Sequence, residues 1–313
     1  MNSYIVRNRQ DKVRMASRSG GAFSALSDVI LSKNGVIYGC EMNSNNVAVH
    51  SRAANAAGRN RFLGSKYVQS DMNGCMVKVN QDLLEDRYVL FTGTPCQISG
   101  LYAYLNAKKT DIQKLYTATI LCHYVVSPRM LEEYILKCEK KWNGKVEKID
   151  FRNKKKFGWD DHRETVTVRG HEHDSTEYTI VFYSGVATRE SCFHCPYKSE
   201  NLPGNIVLAD AWGVEKADPD FNDNKGVSLV LINDGKGQEL FDAARMELEC
   251  RIVPFSNYSK QKTFHEAYPR PSVKDEFWKE FYQHSYQAAY DRYLKVPFNT
   301  RLIRKMKKLF GGK

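Results

Sequence analysis

Four cysteines in three places have the residue type and number for metal or cluster chemistry. They are Cys96 in Gly93-Thr94-Pro95-Cys96, Cys122 in Cys122-His123, and the pair in Cys192-Phe193-His194-Cys195. Each sits just past or just before a segment that reads as a buried strand, so one end of a sheet can collect all four. Four thiolates are what an iron–sulfur cluster or a structural zinc takes. A CxxC pair alone also serves as a redox dithiol or as half of a zinc site. Spacing leaves these open. The lone cysteines Cys40, Cys75, Cys138 and Cys250 read as small buried hydrophobes.

A second group suits an anion. Ser17-Arg18-Ser19-Gly20-Gly21-Ala22-Phe23 precedes a helix, where small residues present backbone N–H groups and the positive end of the dipole. Its spacing is not the GxGxxG of dinucleotide-binding turns, and an ordinary turn with a serine cap has the same composition. Gly64-Ser65-Lys66-Tyr67 adds a point charge and a stackable ring, and Gly93 with Thr94 lets backbone approach a bound group. His123, next to Cys122 at a strand end, is the candidate proton donor. Asp210-Ala211-Trp212-Gly213 can place an acid and an indole at the same pocket. Phe151-Arg152-Asn153-Lys154-Lys155-Lys156-Phe157-Gly158-Trp159 reads as a solvated basic loop or a partner edge, and His171 and His173 as solvated.

The elements that would position these groups alternate. Helices are predicted over 22–33, 97–105, 129–142, 236–248 and 274–294, with buried strands over 36–38, 88–92, 115–121, 206–209 and 227–232. Ser127-Pro128 supplies a cap and a first-turn proline. Segments 146–151, 164–168 and 178–183 alternate like antiparallel strands. The fold class is α/β (α+β), a mixed sheet with flanking helices and a β-rich middle. Two domains are expected, 1–250 and a helical extension 251–313 with a basic tail. Ligands of such sheets lie beyond the carboxyl ends of strands, where Gly93–Cys96 and Cys122–His123 fall.

Composition narrows the partners. The chain has 313 residues, 42% hydrophobic, and a net charge of +11. Arg301, Arg304, Lys305, Lys307, Lys308 and Lys313 supply six of those charges with no acid among them, leaving +5 for the rest. Aromatics do not interleave with the basic residues as a nucleic-acid stacking platform requires, so no nucleic acid is expected. No run approaches the ~20 apolar residues of a membrane span, and the N-terminus does not read as a secretory signal. A cytoplasmic protein without disulfides is expected. In 301–310 the apolar residues share one helical face, which suits weak docking on an anionic membrane surface or an acidic partner, and a frayed, solvated tail is the other reading.

The order of the motifs is itself informative. Ser19-Gly20-Gly21-Ala22-Phe23, Gly64-Ser65-Lys66-Tyr67-Val68-Gln69-Ser70, Val89-Leu90-Phe91-Thr92-Gly93-Thr94-Pro95-Cys96-Gln97, Cys122-His123, Phe151-Arg152 with Gly158-Trp159, Cys192-Phe193-His194-Cys195-Pro196-Tyr197-Lys198 and Asp210-Ala211-Trp212-Gly213 follow one another. Over about residues 14–250 this resembles the coenzyme F-420 (deazaflavin) hydrogenase/dehydrogenase beta-subunit family, in particular bacterial members found with surface-polysaccharide biosynthesis genes.

The resemblance implies a flavin-dependent oxidoreductase with FAD and a 4Fe-4S cluster on Cys96, Cys122, Cys192 and Cys195. It places FAD against Ser19, Gly20 and Gly21 with Ala22 and Phe23, against Gly64, Ser65, Lys66 and Tyr67, and near Gly93 and Thr94. The bacterial branch need not use the deazaflavin. Many relatives carry an N-terminal ferredoxin-like module. This chain starts almost at the Ser-Gly-Gly motif, so a separate ferredoxin or ferredoxin-like subunit is expected to deliver electrons. The implied route runs from cluster to FAD and on, as hydride, to a small organic substrate such as a nucleotide-linked sugar. His123 would supply the proton, Lys66 would hold phosphate or substrate, and Arg152 to Lys156 would guide an acidic ferredoxin. A non-catalytic electron-transfer subunit and a zinc-stabilised transferase are the alternatives.

Overall fold

The computed structural model describes residues 2–295. The amphipathic tail expected at 301–310 lies outside the described residues. The strands are β1 (Asn2–Asn8), β2 (Val36–Met42), β3 (Ala48–Ala53), β4 (Val89–Gly93), β5 (Leu115–Ile120), β6 (Val146–Asp150), β7 (Glu164–Val168), β8 (His171–Ser175), β9 (Ile206–Asp210), β10 (Ser228–Ile232) and β11 (Leu248–Ile252). Eight form one mixed sheet in the order β11-β1-β10-β9-β5-β4-β2-β3, and β6-β7-β8 form a second sheet. Strands β2, β4, β5 and β9 run parallel, and the β10, β1 and β11 side is antiparallel. This is the mixed α/β architecture that the sequence predicts.

Side-chain alternation distributes the layers. In β4, Leu90 joins one core with the helices Ala22–Ser32 and Gly235–Ala244. Its neighbours Val89 and Phe91 join the opposite core with the helices Cys75–Leu84 and Pro95–Ala107. A strand covered on both faces has no solvated side, so β4 is buried throughout. A third core surrounds the small sheet. There Tyr134 of helix Pro128–Trp142 and Val166 of β7 meet Phe277 and Ala289 of the helices Lys274–Gln283 and Tyr286–Tyr293.

Several expectations are corrected. Segment 178–183 is not a strand but part of the helix Glu177–Ser184, which buries Tyr178, Val181 and Phe182 at helical spacing and ends at Gly185 with φ +73°. The third strand of the middle sheet is β8 instead, where His173 stacks on Trp142 at 4.1 Å and is half-buried. The predicted helix 274–294 is two helices, because Ser285 caps the second by accepting from Ala288 N. The helix expected over 236–248 ends at Ala244, and Leu248 begins β11. Strands β1, β3 and β11 and the helix Cys75–Leu84 are additions. β1 carries only Tyr4, Ile5 and Val6 as apolar residues, yet it lies between two strands and buries all three.

Candidate functional site

A cavity of about 310 Å³ opens beyond the carboxyl ends of the parallel strands, lined there by Thr92–Thr94, Ile120–Val125 and Leu208–Asp210. It gathers Ser19, Gly21, Ala22, Phe23, Gly64, Ser65, Lys66, Tyr67, Gly93, Thr94 and His123 from segments far apart in sequence. Gly20 does not line it. A Cβ there would collide with Val6 O and fall 2.6 Å from Ser228 N, so the residue lets the turn lie flat on β1 and β10. Gly21, at φ +88°, turns the chain into the helix Ala22–Ser32.

The anion-binding potential centres on Arg18. Its Nη2 donates to Trp159 O at 2.8 Å, whereas Nε and Nη1 are buried without a partner. Burying unmet cationic donors is costly, and Arg18 lines the cavity together with the first turn of an 11-residue helix. An anionic group fits here. Lys66 differs from its expected role. Its Nζ lies within hydrogen-bond distance of the carbonyls of Arg61, Phe62, Leu63 and Gly64, so its donors are spent on the turn before it. Burial draws its pKa down to about 8.

The basic stretch is largely inside the molecule. Arg152 and Lys154 are buried, while Lys155 and Lys156 are exposed. Lys154 Nζ donates to the carbonyls of Arg14, Ser19 and Lys225, tying down the loop that carries Arg18. Arg152 Nη1 pairs with Asp210 Oδ2 and reaches Tyr67 Oη, both at 3.2 Å. Asp210 is thus a partner of Arg152, and Trp212 forms a flat wall stacked on Trp159 at 4.4 Å and 8°. His162 and Tyr183 complete this corner. Sequence reading misses both, since no spacing links them to Arg152.

Of the four cysteines, Cys122 lines the edge of the cavity. Cys96 is exposed at the start of the helix Pro95–Ala107, with Thr94 Oγ1 at 3.2 Å from its Sγ. Gln97 orients that turn, accepting from Thr94 N and donating to Ser70 Oγ. Ser70 in turn meets the buried His50. Cys192 and Cys195 sit in and after the 3₁₀ turn Glu190–His194. Lys198 Nζ donates to the carbonyls of Cys122 and His123, bringing the CxxC segment to the end of β5. The Cys122 thiol is pushed up to about 12, mainly by burial, with Cys96, Cys192 and Cys195 acting in the same direction. Cys122 is therefore within electrostatic reach of the other three thiols. No group of three or more His, Cys, Asp or Glu side chains among the described residues is arranged to hold a metal ion. His123 Nδ1 faces Thr263 Oγ1 at 3.1 Å.

A mixed sheet with helices on both faces, and a cavity at the switch from parallel to antiparallel strands, defines an α/β protein with a ligand crevice where such folds bind ligands. Residues 86–257 match the family described as the C terminus of the coenzyme F420 hydrogenase/dehydrogenase beta subunit. The chain belongs to that family, whose theme is redox chemistry and electron transfer. Its fold is similar to that of a chain in the xenon-derivatised F420-reducing [NiFe] hydrogenase complex from Methanosarcina barkeri. The TM-score is 0.58 and the identity 14%, over 90% of this chain and 93% of that one. No curated protein matches. No helix among the described residues is long and apolar enough to cross a membrane.

Proposed function

We propose that the chain is a redox protein that holds FAD in the cavity and a 4Fe-4S cluster on Cys96, Cys122, Cys192 and Cys195. The observation that carries the reading is the double position of Cys122. It lines the cavity, and its carbonyl accepts from Lys198, three residues past Cys195, which ties the CxxC segment to it. One residue thus joins the place for a cluster to the place for a planar cofactor. When bound, a cluster exchanges single electrons and a flavin one or two, so the pair converts one kind of donor into the other. Arg18 and the N-terminus of helix Ala22–Ser32 would take the pyrophosphate, and Trp212 and Tyr67 would flank the ring system. His123, held through Nδ1 by Thr263, would offer Nε2 for proton exchange.

Electrons would come from a ferredoxin-like partner, as suits a family of multi-subunit redox enzymes. The acceptor would be a small organic molecule. A nucleotide-linked sugar of surface-polysaccharide assembly is the class favoured by the motif resemblance, and coenzyme F420 is the class in the family's description.

Anaerobic purification followed by iron, sulfide, zinc and flavin analysis tests this. Flavin bands plus a broad shoulder at about 400 nm are expected. Replacing Cys96, Cys122, Cys192 or Cys195 by Ser should abolish the shoulder and the iron, whereas Cys250→Ser should keep both. A full cluster in Cys122→Ser overturns the ligand set. A full cluster without flavin leaves an electron-transfer protein, and zinc without iron overturns both.

A further inference from the structure

One corner of the cavity contains a chain of three side chains whose polarity chemistry fixes. Arg152 Nη2 lies 2.6 Å from His162 Nε2, and Tyr183 Oη lies 2.5 Å from His162 Nδ1. A guanidinium has donors and no acceptor. His162 Nε2 therefore accepts, and a neutral imidazole must carry its proton on Nδ1. Burial, with Arg152 and Arg18 nearby, keeps that ring neutral by drawing its pKa down to about 3. Nδ1–H then donates to Tyr183 Oη.

This leaves the phenol hydrogen of Tyr183 unspent. No other partner meets its hydroxyl among the described residues, and burial raises its pKa, so the proton stays on. The residue lines the cavity and is 38% exposed. Trp212, stacked on Trp159, gives the neighbouring wall its flat face, with His162 at 5.7 Å. Arg152 is already paired with Asp210 and keeps one unmet donor, Nε, whereas Arg18 has two, Nε and Nη1. The group that suits Tyr183 is thus a neutral acceptor on a flat molecule.

We propose that Arg152, His162 and Tyr183 act as a polarised chain that presents the Tyr183 hydroxyl as a hydrogen-bond donor to a carbonyl oxygen of a planar ring bound beside Trp212. Arg152 and His162 are positioning residues, and Tyr183 touches the ligand. That a ring occupies this place rests on the flavin reading above; the polarity of the chain does not.

Two measurements separate these dependences. In ¹⁵N-histidine-labelled protein at neutral pH, His162, assigned by its loss in His162→Gln, should be neutral with its proton on Nδ1. A proton on Nε2, or on both nitrogens, overturns the proposal whether or not a flavin binds. FAD and coenzyme F420 are then titrated into the anaerobic protein. Tyr183→Phe should weaken the bound probe about 3- to 10-fold and move its absorption band. His162→Leu should do the same. His162→Gln should resemble the parent, because its amide accepts from Arg152 and donates to Tyr183. An effect on FAD assigns the carbonyl to the cofactor, and an effect confined to F420 added after FAD assigns it to the second molecule. Unchanged affinity and spectrum for both probes in Tyr183→Phe overturn the proposal. A protein that takes up neither probe removes the flavin reading, and the tautomer then decides the chain by itself.

Discussion

Arg18 separates ligand binding from folding. Two of its buried donors are unmet, so the side chain costs stability unless a ligand completes them. Arg18→Met keeps the aliphatic bulk and should leave the free protein as stable as before, or more so, in equilibrium denaturation. Its FAD affinity should fall about tenfold or more, since a hydrogen bond to a charged group is worth ~1.5–3 kcal/mol. A weakened fold with unchanged FAD binding would make Arg18 structural. His50 gives a pH signature of the opposite kind. Burial draws its pKa from 6.5 to about 4, with Thr92 O and Ser70 Oγ on its two ring nitrogens. Because the folded value is the lower one, its contribution is complete above 6.5 and is lost as pH falls toward 4. Urea midpoints across that window should fall less steeply in His50→Gln. Equal slopes would leave acid sensitivity to the carboxylates.

Among the elements, the segment from Phe151 to Trp159 shows how far a local pattern can mislead. A run of basic residues normally marks a solvated face, and here that reading suits Lys155 and Lys156 only. Arg152 and Lys154 turn inward because the Ser17–Gly21 loop and the segment before β10 bring the carbonyls of Ser19 and Lys225, and the end of β9 brings Asp210, to meet them. Lys154→Met should therefore cost about 2 kcal/mol or more of stability by leaving the Ser19 and Lys225 carbonyls unmet. If a ferredoxin reduces the protein, as proposed, the rate in the surviving folded variant should show an unchanged salt dependence. A variant of full stability whose rate loses its salt dependence would restore the steering role expected from the sequence. The Glu177–Ser184 helix carries the same lesson. Tyr178–Tyr183 alternates by eye, yet its buried residues are three and four apart, and this helical register presents Tyr183 to the cavity.

For the whole molecule, the cavity ties distant parts of the chain together, since its lining runs from Ser17 to Gln261. A ligand that bridges such a span stabilises every element it touches. FAD at 100 times its dissociation constant should raise unfolding stability by about 2.7 kcal/mol, seen as a higher midpoint in anaerobic thermal scans. Arg18→Met should respond less at the same concentration. No shift in the parent protein would count against FAD as the ligand.

The sequence by itself determined the groups and the strand ends. Buried apolar runs located β4, β5, β9 and β10, because a strand covered on both faces is mostly apolar along its length. The cysteines next to Gly93-Thr94-Pro95 and after β5 followed from those strands, as did the glycine turn before the first long helix. Tertiary structure decided the rest. β1 has too short an apolar stretch to declare itself, and it becomes a buried strand only by pairing on both sides. Whether a cation is free or spent depends on the carbonyls that other segments bring to it. That contrast set Arg18, with unmet donors, apart from Lys66 and Lys154, whose donors are filled. The tautomer of His162 likewise depends on Arg152 and Tyr183, ten and 21 residues away in the chain. Hydrogen-bond direction is a property of neighbours in space, and periodicity along the chain carries no record of it.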